Sequence, residues 1–307
     1  MKNTFKQSIY RVKSPAKINI GLRVLSKRKD GFHNLETIFY PIKIYDKITV
    51  KIKKLPVLNG NNNISVKTDS EENISGKNNI CYKTAERFLD TFAIQGSHKI
   101  VITIKKYIPT GAGLGGGSSD AASVIKILLK HFRNDKGLIS FLDSPIRRKM
   151  LKQVQYDKLL GFAMDIGSDV PFFLQAKPAY ALGRGEKLTP LPDFKLPGKI
   201  LLVNPGIHIS TPWAFKSLGI KRFKKKLMGS VKKFSADKPE LMINDFERVV
   251  FRKYPEIEKI KYDMYSFGAS YSLMSGSGST VYGIFSNKDI KAAERYFKMK
   301  KHRVFVS

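Results

Sequence analysis

The chain has 307 residues, one cysteine and a formal net charge of +31. A single hydrophobic core commonly serves about 100–200 residues, so the length is enough for two domains. Cys81 has no partner for an internal disulfide, and no His/Cys spacing is typical of a zinc site. Disulfide-stapled and zinc-finger proteins are therefore excluded, and no metal ligand is assigned.

The chain shows no signal for membrane insertion or secretion. No stretch reaches the roughly 18 consecutive apolar residues of a membrane span, and the N-terminus lacks a secretory apolar run. A lone cysteine suits a reducing compartment. We therefore expect a cytoplasmic protein with no membrane partner, and we leave its oligomeric state open between monomer and homodimer.

The positive charge invites a nucleic-acid-binding interpretation. However, the basic residues are scattered and mostly lysine, and only the run from Lys221 to Phe234 is dense. A solvated face or loop and a nucleic-acid patch both fit that run, and blocks of like charge are commonly solvated. Clustered arginines or basic strands studded with aromatic residues are not evident, so we predict no specific nucleic-acid partner.

The N-terminal half begins with strand patterns. In RVKSPAKINIGLRVL, Lys17 and Asn19 alternate with apolar residues at 18, 20 and 22, which predicts a half-buried strand with both polar side chains on one face. KITVKIKK alternates in the same way. A helix over NICYKTAERFLDTFAI and a strand over KIVITIKKY follow, and then a glycine-rich loop that leads into a helix over SSDAASVIKILLKHF.

The C-terminal half is also mixed. GSDVPFFL predicts a short helix followed by strands, KILLVNPG a strand, and residues 242–264 mostly helix. The glycine–serine cluster in SLMSGSGSTVYGIF lies between two strand-like runs. This order predicts an α+β fold with antiparallel runs rather than regular βαβ units.

Residues 109–122 read PTGAGLGGGSSDAA, and five of the seven residues from 111 to 117 are glycine. Such a backbone lets successive N–H groups converge on phosphate oxygens, and the helix that follows adds the positive end of its dipole. A tight turn would explain one or two glycines but not this many. We predict that the phosphate is bound by Pro109, Thr110, Gly111, Ala112, Gly113, Leu114, Gly115, Gly116, Gly117, Ser118 and Ser119.

Two other glycine-rich motifs fit this stretch less well. Gly111, Gly113 and Gly116 satisfy the dinucleotide fingerprint, but Pro109 separates strand from loop and no short parallel strand ending in an acidic residue follows. A Walker A loop requires Gly-Lys-Ser/Thr, which is missing. The serine pair can supply a hydroxyl to phosphate or to Mg²⁺, and the sequence does not decide which serine does so.

PTGAGLGGGSSDAA resembles the central phosphate loop of the galactokinase, homoserine kinase, mevalonate kinase and phosphomevalonate kinase superfamily. SPAKINIGL and SLMSGSGSTVYG resemble its first and third motifs, in the same order. Within the superfamily, KRKDGFHNLETIF, GSDVPFFL and GRGEKLTPL resemble the 4-diphosphocytidyl-2-C-methyl-D-erythritol kinases. The resemblance spans nearly the whole chain.

The resemblance implies a two-domain small-molecule kinase with ATP and Mg²⁺ as its cofactors. An ATP-binding domain would cover residues 1–170 and a substrate-binding domain residues 171–307, with the last strand able to pack back on the first domain. It implies phosphorylation of the 2-hydroxyl of a cytidine-diphosphate sugar alcohol on the non-mevalonate isoprenoid route, with the cytidine substrate held between the domains. Homoserine and mevalonate kinases are the alternatives within the superfamily, and they should lack DGFH.

The resemblance also implies catalytic roles. Asp169 would accept or orient the substrate hydroxyl proton, and Lys17 would keep Asp169 ionised and approach the γ-phosphate. Asn19, on the same strand face as Lys17, would touch substrate. Two ordinary interpretations stay open: Asp169 as a helix N-cap, and Lys17 as a solvent-facing strand residue.

Asn79 and Lys106 fall where the family places contacts to the adenosine of ATP, although each could be an ordinary loop or strand-end residue. For the acceptor, the resemblance implies that Phe32 stacks on cytosine, that His33 hydrogen-bonds to it, and that Phe215 covers its other face. Asp30-Gly31 would form the turn that presents them, and many relatives carry tyrosine at position 32. Core packing of these aromatic residues is the alternative.

Overall fold

The computed structural model describes residues 6–56, 62–69, 75–142, 148–220, 243–286 and 290–307, without the side chains of 140–142 and 148–156. The basic run Lys221 to Phe234 lies outside the described residues. The strands are β1 (Ser8–Lys27), β2 (His33–Lys54), β3 (Asn63–Thr68), β4 (His98–Lys105), β5 (Ala179–Gly183), β6 (Lys187–Pro190), β7 (Lys199–Asn204), β8 (Tyr271–Met274), β9 (Val281–Phe285) and β10 (Arg303–Val306).

The described helices are interspersed among these strands, with four of them in succession between β4 and β5. They are α1 (Ile80–Thr91), α2 (Gly116–His131), α3 (Lys136–Leu142), α4 (Arg148–Ile166), α5 (Val170–Gln175), α6 (Thr211–Leu218), α7 (Glu247–Lys253), α8 (Pro255–Ser266) and α9 (Ile290–Met299). The α+β prediction is confirmed. None of the described helices combines the length and hydropathy that a membrane crossing requires.

The chain divides into two compact units that are both discontinuous in sequence. Unit 1 contains Met1–Pro15, Tyr45–Tyr107 and Gly116–Gln175, and unit 2 contains Ala16–Ile44, Ile108–Gly115 and Ala176–Ser307. The long strands β1 and β2 each contribute to both units. The boundaries of these units differ from the predicted division into residues 1–170 and 171–307. The assignment of ATP binding to the first part and of substrate binding to the second stays a prediction.

Unit 1 packs helices on strands. Within it, Lys47–Lys54 of β2 pairs antiparallel with β4, and β3 pairs parallel with β4, with α1 as the intervening helix. In this β2 segment Ile48, Val50 and Ile52 are buried and the lysines are exposed, as the KITVKIKK pattern predicts. A cluster of phenylalanines on α1 and α4 and directly after α1 and α2 fills part of its core: Phe88, Phe92, Phe132 and Phe162.

Unit 2 contains a four-stranded antiparallel sheet in the order β10–β7–β9–β8. Leu201 and Val203 of β7 pack into one hydrophobic cluster, while Ile200 and Leu202 pack into another. Both faces of this strand are therefore buried, which is why its central residues 200–203, ILLV, are all apolar. A second set of strands in unit 2 pairs Leu35–Phe39 of β2 with β5, and β5 with β6.

One prediction about β1 is wrong. The alternating pattern predicts a half-buried strand, but every residue from Ala16 to Leu22 is buried, polar side chains included. Lys17 is only 4 % exposed, so it is not a solvent-facing strand residue. Burial of Lys17 and Asn19 requires hydrogen-bond partners, because an unpaired polar group costs free energy away from water.

Candidate active site

The glycine loop, residues 109–117, approaches the third motif in unit 2. Gly113 has φ +76°, and a Cβ atom there would lie 2.0 Å from the carbonyl oxygen of Ser275. The hydroxyl of Ser275 donates to the carbonyl oxygen of Gly113 at 2.9 Å. Ser275 opens the segment that joins β8 to β9, which is the SGSGST cluster of the sequence. Only glycine permits this backbone approach.

The first motif is tied to the same loop. The backbone N–H of Lys17 donates to the carbonyl oxygen of Leu114 at 3.0 Å. Asn19 uses its backbone N–H toward the Ser275 hydroxyl at 3.3 Å, and its carbonyl oxygen accepts from the Tyr282 hydroxyl at 3.0 Å. The three motifs that are far apart in sequence therefore meet within unit 2.

The side chains of Lys17 and Asn19 form a buried polar chain. The Lys17 ammonium donates to Asn19 Oδ1 at 2.6 Å, and the amide nitrogen of Asn19 donates to the Thr37 hydroxyl at 3.0 Å. The ammonium also lies 5.1 Å from the centre of the Phe39 ring. The prediction that Lys17 and Asn19 share a strand face is confirmed, and these contacts compensate in part for the burial of the charge.

The helix after the glycine loop begins in unit 1 at Gly116. Ser118 is half-buried in the first turn of α2, and the hydroxyl of Ser119 is buried and has no hydrogen-bond partner in the described part of the chain. Serine hydroxyls are hard oxygen donors of the kind that Mg²⁺ accepts alongside phosphate oxygens and water. The residues present therefore fit a phosphate-bound magnesium ion.

Lys106 lies at the end of β4 in a buried ion cluster. Its ammonium donates to Asp120 Oδ2 at 3.0 Å and to Asp46 Oδ2, and the other oxygen of Asp46 accepts from the backbone N–H of Tyr107 at 2.6 Å. The side chains of the three charged residues are at most 9 % exposed. Asp120 is the aspartate that follows the serine pair, so its ion pair with Lys106 ties the start of α2 to the end of β4.

The cluster places two carboxylates on one ammonium, and this shifts the pKa of both kinds of group. Burial lowers the pKa of Lys106, but the carboxylates of Asp120 and Asp46 outweigh it and hold that pKa above its ordinary value. Burial raises the pKa of Asp120 to about 7, against the effect of Lys106 and with a further contribution from Asp46. The Oδ1 atom of Asp120 is buried and has no hydrogen-bond partner in the described part of the chain, which adds to the cost of charging this carboxyl.

The remaining predicted residues of unit 1 lie at helix starts. Asn79 is buried and caps α1, with its side-chain oxygen accepting from the Cys81 N–H at 2.8 Å. Asp169 is half-buried and immediately precedes α5, whose first residue Val170 donates to the carbonyl oxygen of Gly167. Contacts of Asn79 and Lys106 to ATP, and the catalytic role of Asp169, stay predictions.

DGFH forms the turn between β1 and β2, as predicted. The Arg28 N–H donates to the Phe32 carbonyl oxygen at 2.8 Å, and Asp30 Oδ1 accepts from the Phe32 N–H at 3.1 Å. Gly31 adopts φ +85°, which completes the reversal. His33 is the first residue of β2, so the turn presents two consecutive rings at the start of a strand.

The structure brings His33 and Phe215 together. Their rings stack with centroids 4.5 Å apart and an interplanar angle of 13°, and Phe215 also packs edge-on against Phe246 of the core. The two rings are in direct contact, so a base can stack on the face of Phe215 that His33 covers only if His33 moves away. Burial and, to a smaller extent, Lys27 lower the pKa of His33, which favours a neutral imidazole with one donor and one acceptor.

Phe32 differs from an ordinary core phenylalanine because its side chain is 47 % exposed. The core-packing alternative therefore does not account for it. The guanidinium carbon of Arg184 lies 3.5 Å from the centre of its ring. The sequence interpretation missed Arg184, although GRGEKLTPL was one of the stretches that carried the family resemblance.

Other supporting residues were also missed. Thr37 and Ser275 hold Asn19, Asp46 and Asp120 hold Lys106, and Asn244 donates to the carbonyl oxygens of Met274 and Gly276 at 2.7 and 2.8 Å. Their types are common in loops and strands, so the sequence offered no periodic signal. Only the position of Asp120, directly after the serine pair, drew notice in the sequence.

Comparisons with known proteins agree with this geometry. The family model described as "GHMP kinases N terminal domain" matches residues 79–176. The family model described as "GHMP kinases C terminal" matches residues 223–301. A protein of Methylacidiphilum infernorum named 4-diphosphocytidyl-2-C-methyl-D-erythritol kinase is 38 % identical over 90 % of this chain and 86 % of its own length. A protein of Clostridium botulinum with the same name is 38 % identical over 94 % and 95 %.

The chain belongs to the 4-diphosphocytidyl-2-C-methyl-D-erythritol kinase family of the GHMP kinases.

A crystal structure of a 4-(cytidine 5′-diphospho)-2C-methyl-D-erythritol kinase matches with a TM-score of 0.72 and 28 % identity, covering 97 % of this chain and 98 % of the other. Homoserine kinase of Cytophaga hutchinsonii matches with a TM-score of 0.65 at 17 % identity, covering 99 % and 97 %, which shows the fold alone. As a member of this kinase family, the chain is a small-molecule kinase, and that prediction is confirmed.

The glycine contact in the loop gives a first prediction. Gly113→Ala should lower the melting temperature and the activity together, because the new Cβ would meet the Ser275 carbonyl at a positive φ. The matched control is Gly117→Ala, within α2, where the nearest atom to a new Cβ is 3.8 Å away. The control should keep or slightly raise the melting temperature. Thermal melts of both variants check this, and equal stability of the two would contradict it.

The raised pKa of Asp120 gives a second prediction. From about pH 4 to about pH 7, folded Asp120 keeps a proton that the unfolded chain has lost, so the free energy of unfolding falls as pH rises through this interval. Asp120→Asn stays neutral and lacks this decline. Its melting temperature relative to the unsubstituted protein should therefore increase from pH 5 to pH 8. Asp90→Asn, at an exposed site on α1, is the control, and a pH-independent difference for Asp120→Asn would refute the assignment.

Proposed function

We propose that this chain transfers the γ-phosphoryl group of ATP to the 2-hydroxyl of 4-diphosphocytidyl-2-C-methyl-D-erythritol, a step of the non-mevalonate isoprenoid route. The similarity of named relatives carries this proposal: they are 34–39 % identical and cover about nine-tenths of the chain. The exposed aromatic turn at Phe32 and His33 supports the choice of a base-bearing acceptor over homoserine or mevalonate.

Phosphoryl transfer passes through a transition state in which negative charge spreads over the transferred oxygens. The glycine loop supplies backbone N–H groups for the phosphates, and α2 adds the positive end of its dipole. Its glycines at 111, 113 and 115 all adopt positive φ, which lets consecutive N–H groups turn toward one side of the chain. These donors are fixed before reaction by the contact with Ser275.

Lys17 provides a positive charge whose position is fixed. Its hydrogen bond to Asn19 and its backbone bond to Leu114 hold the ammonium on the face of β1 next to the glycine loop. A pre-organised cation stabilises developing charge without reorganising solvent. Asn19, held by Thr37 and Ser275, keeps Lys17 in place and can orient the acceptor hydroxyl.

Asp169 is proposed to take or orient the proton of the acceptor hydroxyl. It is half-buried directly before α5, where the short helix fixes its backbone. The hydroxyl of Ser118 or of Ser119 would hold Mg²⁺ together with phosphate oxygens, and the ion would supply charge neutralisation of the β- and γ-phosphates. Lys106 and Asn79 are proposed to contact the adenosine, with Lys106 presented by its two carboxylates.

The acceptor's cytosine is proposed to stack on Phe32, with its edge bound by His33. A neutral imidazole offers one donor and one acceptor, which suits the mixed donor and acceptor edge of cytosine. Phe215 then has two possible roles. It fixes the His33 ring by stacking, as observed, or it covers the second face of the base once His33 has moved.

A coupled ATP-consumption assay tests the proposed function. The acceptors are 4-diphosphocytidyl-2-C-methyl-D-erythritol, homoserine and mevalonate at equal concentrations. Turnover with the cytidine compound that exceeds the other two by orders of magnitude is expected. Preferential turnover of homoserine or mevalonate would refute the choice of acceptor while leaving the kinase family intact.

The catalytic assignment gives a third prediction. Asp169→Asn and Lys17→Ala should each lower kcat by roughly 10²–10⁴, because their interactions strengthen in the transition state. KM for ATP should change little. Steady-state kinetics with both substrates measure this, and near-normal turnover of Asp169→Asn would show that it is only a helix-start residue.

The aromatic turn gives a fourth prediction. Phe32→Ala should raise KM for the cytidine substrate by roughly ten- to a hundredfold, since stacking on a base is worth about 1–3 kcal/mol. Its melting temperature should hold because the ring is nearly half exposed, and Phe32→Tyr should be tolerated. Phe215→Ala should raise the same KM and should also lower the melting temperature, because Phe215 packs on Phe246.

The control for this prediction is Tyr262→Ala, which removes an aromatic ring that is 61 % exposed on α8. It should change neither KM nor the melting temperature. A loss of stability in Phe32→Ala with an unchanged KM for the cytidine substrate would instead indicate packing as its role.

A further inference from the structure

The turn between β5 and β6 places Arg184 beside the aromatic turn within unit 2. β2 and β5 pair antiparallel with Leu35 opposite Gly183. The chain directions therefore bring Arg184, the next residue of β5's turn, level with the first residues of β2. The register of the sheet, rather than a chance side-chain excursion, puts this arginine next to Phe32.

The backbone of the β5–β6 turn is held in one conformation. Gly183 and Gly185 have φ +74° and +113°, and the Gly185 N–H donates to the Leu182 carbonyl oxygen at 3.2 Å. The Arg184 N–H donates to a carboxylate oxygen of Glu186. A Cβ at Gly183 would lie 2.5 Å from the same carboxylate, so glycine makes room for Glu186. These contacts fix the direction in which Arg184 leaves the turn.

The Arg184 guanidinium covers one face of the Phe32 ring, with its carbon 3.5 Å from the ring centre. A planar guanidinium at this distance combines cation–π attraction with stacking, which an ammonium does not reproduce. The turn between β1 and β2, which carries Phe32, is fixed as well. Arg28 pairs with Asp30 at 2.8 Å, and Asp30 accepts from the Phe32 N–H. An exposed ring is thus immobilised from its backbone and from one face.

We infer that Arg184 is a positioning residue for the acceptor site: it backs the Phe32 ring, so that the ring presents its other face to a cytosine base. The inference rests on the proposed function for the identity of the base. An exposed phenylalanine without such backing would lose side-chain freedom on binding, and a ring that is already fixed avoids that cost. Arg184 acts through Phe32 and not on the reacting atoms.

The first test measures KM and kcat for three variants of the full chain. Arg184→Ala should raise KM for the cytidine substrate by roughly three- to tenfold, with kcat, KM for ATP and the melting temperature unchanged. Arg184→Lys keeps the charge but not the plane and should resemble Arg184→Ala. Lys187→Ala removes an exposed cation three residues further on and should match the unsubstituted enzyme. Full activity of Arg184→Lys would overturn the inference, because charge alone would then suffice.

A double-substitution cycle with Phe32 provides the sharper test. In a Phe32→Ala background, Arg184→Ala should cause no further rise in KM, because there is no ring left to back. An undiminished effect in that background would show that Arg184 contacts the ligand directly, which would overturn the positioning role.

A binding measurement separates failure of this inference from failure of the proposed function. Titration calorimetry with cytidine 5′-diphosphate should give the same three- to tenfold weakening for Arg184→Ala without any turnover. If the unsubstituted protein binds the diphosphate but does not phosphorylate the proposed acceptor, only the proposed function fails. If Arg184→Ala binds as tightly as the unsubstituted protein, or if that protein does not bind at all, the inference fails.

Discussion

A backbone contact between two glycine-rich segments organises the candidate site of unit 2. The Gly113 Cα lies where any Cβ would collide with the Ser275 carbonyl, and the Ser275 hydroxyl bonds back to the Gly113 carbonyl. Hydrogen bonds next to this contact join β1 to both segments. The Lys17 N–H donates to the Leu114 carbonyl oxygen, and the Asn19 N–H donates to the Ser275 hydroxyl. The conformation of the glycine loop is therefore fixed by its packing on another loop, although its own sequence is unusually free in backbone conformation.

Buried charge is compensated locally in both units. The contacts of Lys17 include an amide oxygen and an aromatic face, and those of Lys106 include two carboxylates. The second carboxylate on Lys106 has a physical consequence, because the proton that Asp120 carries depends on pH. The overall charge of +31 says little about either site, because each depends on a few paired groups.

The aromatic residues Phe215 and Phe32 differ in burial and in the contacts that hold them. Phe215 packs on Phe246 and on His33, so it belongs to the core of unit 2 as well as to the proposed acceptor site. Phe32 is exposed and is held by a hairpin turn and a guanidinium. These contacts restrain a ring that is exposed at the surface, and a restrained ring loses less side-chain freedom when another molecule packs on it.

The sequence by itself determined the family, the α+β class, the strands and helices with clear periodicity, and the pairing of Lys17 with Asn19 on one face. It did so because side-chain period and glycine content are local properties. Helices α3 and α4, the burial of both faces of β1, the carboxylates on Lys106 and the arginine on Phe32 were decided by tertiary structure. Each depends on which residue, distant in sequence, comes to lie beside another in the fold, and the hydrophobic pattern does not encode that pairing. Asp46 meets Lys106 through the register of β2 with β4, and Arg184 meets Phe32 through the register of β2 with β5 and the turns at their ends.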